Sequence, residues 1–229
     1  MSLFFLQSSM YFAFNSTGTV FCAKVFARAH SADFERERQA IQSLPPHPGI
    51  APCIASFNSP DEEHYILVMP FFPRSVFDLV QCAPDSFNME EFAYGLLKSL
   101  RSALETMHNS ETGWCHADIK PANIMLRCDL SPRDDVESTD AVLVDFGSCV
   151  KFGEKLVEGT QPFSLDLNAT VATAELDNVC LASSLLQILG ISIESKTRGD
   201  LRDEIRPRCN NDSSLYTELY ELLGKTALE

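Results

Sequence analysis

Residues 116–123 read His-Ala-Asp-Ile-Lys-Pro-Ala-Asn, and residues 141–147 read Ala-Val-Leu-Val-Asp-Phe-Gly. The first segment sets a carboxylate, Asp118, five residues ahead of a carboxamide, Asn123, with the ammonium of Lys120 between them. The second places another carboxylate, Asp145, directly after an apolar strand and before a Phe-Gly turn. Phosphoryl transfer needs these groups. One carboxylate orients and deprotonates a hydroxyl, an Asn and Asp oxygen pair holds Mg²⁺, and a cation screens the moving phosphate. Solvated loop residues would match this set only if four independent positions agreed by accident.

Together the two segments resemble the catalytic loop and the metal-binding loop of the eukaryotic protein kinase superfamily. The resemblance implies a two-lobed α+β fold in one domain spanning residues 1–229. A small antiparallel sheet plus one helix would run to about Phe72, with a mainly helical lobe from about residue 73 onward. It implies ATP and Mg²⁺ as cofactors and a protein as substrate. Asp118 and Lys120 then become the catalytic residues, and Asn123 and Asp145 the metal ligands. Lys120-Pro121 after Asp118 favours Ser/Thr over Tyr hydroxyls.

Lys24, in Phe-Cys-Ala-Lys-Val, stands where the family carries Val-Ala-Ile-Lys, whose lysine meets the ATP phosphates. The helix glutamate that holds it is Glu37, because Ala40, Ile41 and Leu44 follow at an inward-packing spacing. Glu35 is the alternative, since an extra proline before His47-Pro48 leaves the register open by one residue. An edge-strand lysine in solvent is the plain reading of Lys24 alone. Ile66 to Phe72 resembles the hinge strand. Met69 would guard the back of the adenine pocket, and Pro70 O and Phe72 N would meet the base, since proline lacks only its N–H. His116 resembles the family's bracing histidine and takes no proton-transfer role. Asp177 would hold the catalytic-loop backbone; a plain helix N-cap is its other reading.

Three departures bear on function. The family covers the phosphates with a glycine-rich loop, because only glycine lets backbone N–H groups approach so closely. Counting back from Lys24 puts that loop near Leu3 to Ser8, where no glycine stands. Either the loop lies upstream of Met1 or nucleotide is held without it. Ala117 replaces the arginine that reads activation-segment phosphate in many kinases, so regulation by that switch is not expected. Ser164-Leu165-Asp166 occupies about the place of Ala-Pro-Glu, after a Glu158 to Phe163 stretch that resembles the substrate-side end of an activation segment.

The elements that must position these groups follow from local pattern. Met10 to Phe14 and Val20 to Phe26 read as strands joined by an Asn15-to-Gly18 hairpin turn. Ser31 or Asp33 can cap a helix from about Phe34 to Leu44, ended by Pro45, Pro46 and Pro48. Ile50 to Phe57 and His64 to Phe72 read as two more strands, and Met89, Phe92, Leu96, Leu97, Leu100, Leu104 and Met107 recur at helical spacing. Residues 127–140 form an acidic excursion. Beyond Gly190 the chain is polar until Leu215, which predicts reduced or rearranged final helices.

The 229 residues carry a net charge of −14, which argues against a nucleic-acid partner. A hydrophobic content of 45% is that of a folded chain. Eight scattered cysteines without a Cys-x-x-Cys pair read as reduced thiols of an intracellular, cytoplasmic protein. The apolar start lacks a basic leader, so no signal peptide and no membrane partner are expected. Three functions compete: a Ser/Thr protein kinase, a pseudokinase acting as scaffold or binding module, and a kinase-like small-molecule phosphotransferase. Asp-Phe-Gly and Lys120-Pro121 count against the last.

Overall fold

The computed structural model describes residues 8–109, 111, 113–127, 141–156, 163–165, 169–209 and 214–224. The first lobe is a hairpin that grows into a sheet: β1 (Ser8–Phe14) and β2 (Val20–Ala27) pair antiparallel, with Met10 opposite Lys24 and Phe12 opposite Cys22. Asn15 fixes the turn, its side-chain oxygen accepting from the N–H groups of Thr17 at 3.0 Å and Thr19 at 2.8 Å. With β3 (Ala55–Asn58) and β4 (His64–Pro70) the sheet runs β1-β2-β4-β3. Paired residues share a face. Cys22, Lys24 and Phe26 therefore lie on the same face as their partners Met69, Leu67 and Tyr65.

Helix α1 (Ser31–Ser43) covers that face. Its Phe34 ring packs edge-on against Phe26 and stacks on Tyr65. Phe34, Glu37, Ala40 and Ile41 are its buried residues, so Glu37 is the one charge turned inward. His30 occupies the N-cap without a capping hydrogen bond from its side chain, in place of the expected Ser31 or Asp33, and the Asp33 carboxylate is engaged by His30 and Arg36.

The expected strand from Ile50 is shorter than its composition suggests. Residues 50–54 lie outside the strand: Ile50 and Ala51 pair with the second lobe, Ala51 N donating to Leu143 O at 3.0 Å, and only Ile54 N bonds the sheet, at Val68 O, 2.8 Å away. β4 likewise stops at Pro70, leaving Phe71 and Phe72 outside the sheet.

The second lobe is mainly helical. Short α2 (Val76–Cys82) begins at a Ser75–Asp78 capping box after β5 (Arg74–Ser75). The long α3 (Met89–His108) is capped by Asn88 and buries Phe92, Leu96, Leu97, Leu100, Ala103, Leu104 and Met107 along one stripe. β6 (Trp114–Cys115) leads into the loop at 116–123 and pairs with β9 (Val150–Lys151). β7 (Ile124–Leu126) pairs with β5 and β8 (Ala141–Leu143), so the loops carrying Asn123 and Asp145 leave adjacent strands.

Helix α4 (Ala174–Ile188) is buried on most sides beneath them. Two further helices, α5 (Arg198–Cys209) and α6 (Ser214–Leu222), occupy the part expected to be reduced. α5 buries only Leu201, Arg202 and Ile205 in a charged sequence containing Pro207, which hides its periodicity. The excursion at 128–140 lies outside the described residues, as do Asp166 and all of the 158–163 stretch but Phe163. Among the described residues no helix is long and apolar enough to cross a membrane.

Gly113 sets the entry to β6. It takes φ +59°, and a Cβ there would meet Phe152 Cδ2 at 2.4 Å while Phe152 N bonds Gly113 O at 3.0 Å. Gly113→Ala should therefore cost about 2 kcal/mol of stability, combining backbone strain and overpacking. Urea unfolding reads this; an unchanged midpoint would contradict it.

Candidate active site

Lys24 is a buried cation between two carboxylates. Its Nζ donates to Glu37 Oε2 at 2.7 Å and Oε1 at 3.0 Å, and to Asp145 Oδ1 at 2.7 Å. A strand, a helix and a loop of the other lobe thus meet at one ammonium. Glu37 is 1% exposed, whereas Glu35 points outward to Arg38. Burial, the strongest influence on Lys24, lowers its pKa, but Glu37 and Asp145 together outweigh it and raise the pKa above the usual lysine value. Burial pushes the Glu37 carboxyl up against the pull of Lys24. In Asp145 burial also acts upward, yet Lys24 prevails and holds the carboxyl below its ordinary range. The Asp145 side chain keeps 44% of its surface exposed.

The loop at 116–123 forms a second cluster. Asp118 Oδ2 accepts from Lys120 Nζ and from Asn123 Nδ2, each at 2.9 Å. Asn123 Nδ2 also donates to the Asp118 carbonyl at 2.9 Å. Asn123 thereby turns its amide hydrogens to Asp118, so its side-chain oxygen is the atom left to accept or ligate. Asp118 Oδ1 is buried and has no hydrogen-bond partner.

His116 accepts from Asp118 N on Nδ1 at 3.3 Å and lies 3.1 Å from Val144 O through Nε2, which assigns the proton to Nε2. It braces the two loops against each other.

Ala117 adopts φ +62° and Asp145 φ +64°, left-handed conformations that cost a side-chain-bearing residue energy. Asp177 holds the first of them. Fully buried in α4, it accepts from His116 N and Ala117 N at 2.9 Å each, and His108 Nε2 lies 2.9 Å from the same carboxylate. It is not the N-cap of α4; Thr173 fills that position. Ser184, on the same helix, donates to Ile119 O at 3.2 Å.

A cleft of about 450 Å³ separates the lobes. Lys24, Glu37, Asn123 and Asp145 line one wall, and Met69, Pro70, Phe71 and Phe72 line another. Cys22, Met10 and Phe12 form its roof, with Phe12 set edge-on to Phe71 at 5.4 Å. Asp118 and Lys120 stand beside the cleft, joined to it through Asn123. These roof residues were not singled out from sequence, although Cys22 lies two residues before Lys24 and so shares its face. His108 was missed because only the fold brings it to Asp177.

Residues 7–174 match the protein kinase domain family. The chain belongs to that family. It is 30% identical over 112 residues to the sporulation protein kinase mde3 of Schizosaccharomyces pombe, covering 49% of this chain and 19% of that protein. To the protein kinase gsk31 of the same yeast it is 31% identical over 123 residues, covering 49% and 28%. To the serine/threonine-protein kinase ArnS of Sulfolobus acidocaldarius it is 30% identical over 107 residues, covering 41% and 17%. The matched stretch is thus less than a third of the length of these relatives. Vaccinia related kinase 3 superposes with a TM-score of 0.68 at 18% identity, over 96% of this chain and 78% of that one, which establishes a kinase-like fold.

Two stability measurements follow from this geometry. Lys24→Met strands a carboxylate that is 1% exposed and should cost about 3–5 kcal/mol, most of it recovered in Lys24→Met/Glu37→Leu. A single-variant cost below about 1 kcal/mol would contradict a buried ion pair. Asp177→Ala leaves the N–H groups of His116 and Ala117 unpaired and should cost about 3 kcal/mol by chemical denaturation. A neutral effect would remove Asp177 as the loop's anchor.

Proposed function

We propose that this chain is the catalytic domain of a Ser/Thr protein kinase that uses Mg²⁺ and ATP. The observation that carries the reading is the Asp118 carboxylate: Oδ2 is tied to Lys120 and Asn123, while Oδ1 stays buried and unbonded beside a cleft lined by Lys24, Asn123 and Asp145. An unpaired buried acceptor costs about 1–3 kcal/mol, a cost offset once a substrate hydroxyl donates to it.

The residues fit the cofactors. Among the described residues no group of three His, Cys, Asp or Glu side chains could hold a metal ion alone. Mg²⁺ commonly keeps several waters and takes one or two protein carboxylates plus phosphates, so Asn123 and Asp145 suit a metal that arrives with nucleotide. When bound, Mg²⁺ and ATP supply a γ-phosphoryl group whose charge the metal screens. Lys24, oriented by Glu37, would hold the ATP phosphates, and Met69, Pro70 and Phe72 would border the adenine. Asp118 Oδ1 would take the proton of the attacking hydroxyl, and Lys120 would neutralise charge on the transferred phosphate.

Lys120-Pro121 supports Ser/Thr hydroxyls as acceptors, as does the likeness to the serine/threonine-protein kinase of Sulfolobus acidocaldarius. Seven described cysteines are free thiols, which supports a reducing, cytoplasmic setting. A net charge of −14 supports a protein rather than a nucleic-acid partner.

One observation favours the alternative, a pseudokinase that binds nucleotide or partner without transfer. Met10, a bulky side chain, stands opposite Lys24 on the cleft face, and no glycine occurs from Leu3 to Ser8.

Labelled ATP with Mg²⁺ and a generic basic protein separates the two. The expected products are phosphoserine and phosphothreonine, with the rate falling about 100-fold or more in Asp118→Asn while ATP binding persists. Equal rates in wild type and Asp118→Asn would remove the catalytic assignment. ATP binding with no transfer would favour the pseudokinase. Phosphatase treatment should leave the rate nearly unchanged, because Ala117 offers no cation for an activation-segment phosphate.

A further inference from the structure

A second connection joins α1 to the loop bearing Asp145, separate from the Lys24 cluster. Arg36 Nε donates to the Gly147 carbonyl at 2.8 Å. Its Nη2 pairs with Asp33 Oδ1 at 2.6 Å, one turn back on the helix. The other Asp33 oxygen lies 3.2 Å from His30 Nδ1, at the residue that opens α1. The side chains of Arg36 and Asp33 are 27% and 22% exposed, so the pair is largely shielded from solvent.

Two features give this chain of contacts a consequence. Arg36 is adjacent to Glu37, and a Cβ built on Gly147 would lie 3.4 Å from Glu37 Oε2, so the residue Arg36 holds sits beside the carboxylate that holds Lys24. Gly147 is two residues beyond Asp145, whose φ of +64° and ψ of 75° must be imposed from outside because that backbone is intrinsically unfavourable. A planar guanidinium suits the task, since its rigid fork can donate to a carboxylate and a carbonyl at once. Ala117, beside Asp118, presents only a methyl group where a cation could otherwise order the site through a phosphate.

We propose that Arg36 is a positioning residue. With Asp33 and His30 behind it, Arg36 clips α1 to the Asp145 loop and keeps the Lys24–Glu37–Asp145 cluster closed without a phosphorylated activation segment. The catalytic consequence rests on the kinase reading; the conformational one does not.

Hydrogen–deuterium exchange on the nucleotide-free chain tests the conformational part. In Arg36→Gln, amides of residues 145–149 and of the first turns of α1 should exchange about tenfold faster, the equivalent of one charge-assisted hydrogen bond, with α3 and α4 unchanged. Arg36→Lys keeps the charge toward Asp33 but has one nitrogen to serve two acceptors, so it should restore only part of the protection. Unchanged exchange at 145–149 in Arg36→Gln overturns the proposal, as does an increase shared equally by α3 and α4.

In the transfer assay, Arg36→Gln should raise the Mg²⁺ concentration for half-maximal rate about tenfold while the KM for protein substrate holds. An unchanged Mg²⁺ requirement in an active enzyme overturns the catalytic consequence. A wild-type chain that transfers no phosphate, yet shows the exchange pattern, retires the kinase reading and leaves the clip standing.

Discussion

One ammonium group, Lys24 Nζ, stands within 3.0 Å of carboxylate oxygens from α1 and from the Asp145 loop. Burying such a cation is tolerable only because two carboxylates compensate it, and burying Glu37 is tolerable only because Lys24 does the same. The cluster therefore fixes where α1 lies against the sheet and where the second lobe lies against both. Hydrophobic packing brings the elements to the neighbourhood: Phe34 on Phe26 and Tyr65 seats α1 on the correct face. That packing is non-directional. The ion pair supplies the direction, and its cost if broken makes the arrangement close to all-or-none.

The loop at 116–123 depends on a complementary device. Its backbone carries a left-handed alanine at 117, and a buried Asp177 collects the N–H groups of His116 and Ala117. Strain at the loop is thus offset by charge-assisted hydrogen bonds from a helix buried on most sides. The loop is held from beneath, so Asp118 and Asn123 can spend their own polar atoms on each other and on whatever enters the cleft. His116 adds a lateral tie to Val144, one residue before Asp145, which couples the two loops.

Much of this was legible in the sequence because the chemistry-bearing residues sit at short, fixed spacings. Asp118, Lys120 and Asn123 share one loop, and Asp145 follows a strand paired with the one after that loop. The choice between Glu37 and Glu35 was settled by burial, which a register open by one residue could not supply. Elements whose backbone is satisfied by distant partners were not legible. Residues 50–54 read as strand from composition, but Ile50 and Ala51 pair with Leu143 across the lobe boundary and only Ile54 bonds back to β4, at Val68. α2 has seven residues, too few for apolar periodicity, and only its Ser75-x-x-Asp78 cap signals it. α5 is highly charged and carries Pro207, so tertiary packing of two apolar side chains decides it. Arg36 was invisible for a related reason: an arginine on a charged helix reads as solvated until Gly147 is brought to it.

The proposed function requires Lys24, Asn123 and Asp145 to form a nucleotide site that works through a metal. Calorimetric titration of ATP into the purified chain, with and without Mg²⁺, tests it most directly. Mg²⁺ should strengthen ATP binding, and Asp145→Asn should abolish that increment while leaving metal-free binding nearly intact. Equal ATP affinity with and without Mg²⁺ in the wild type would contradict it.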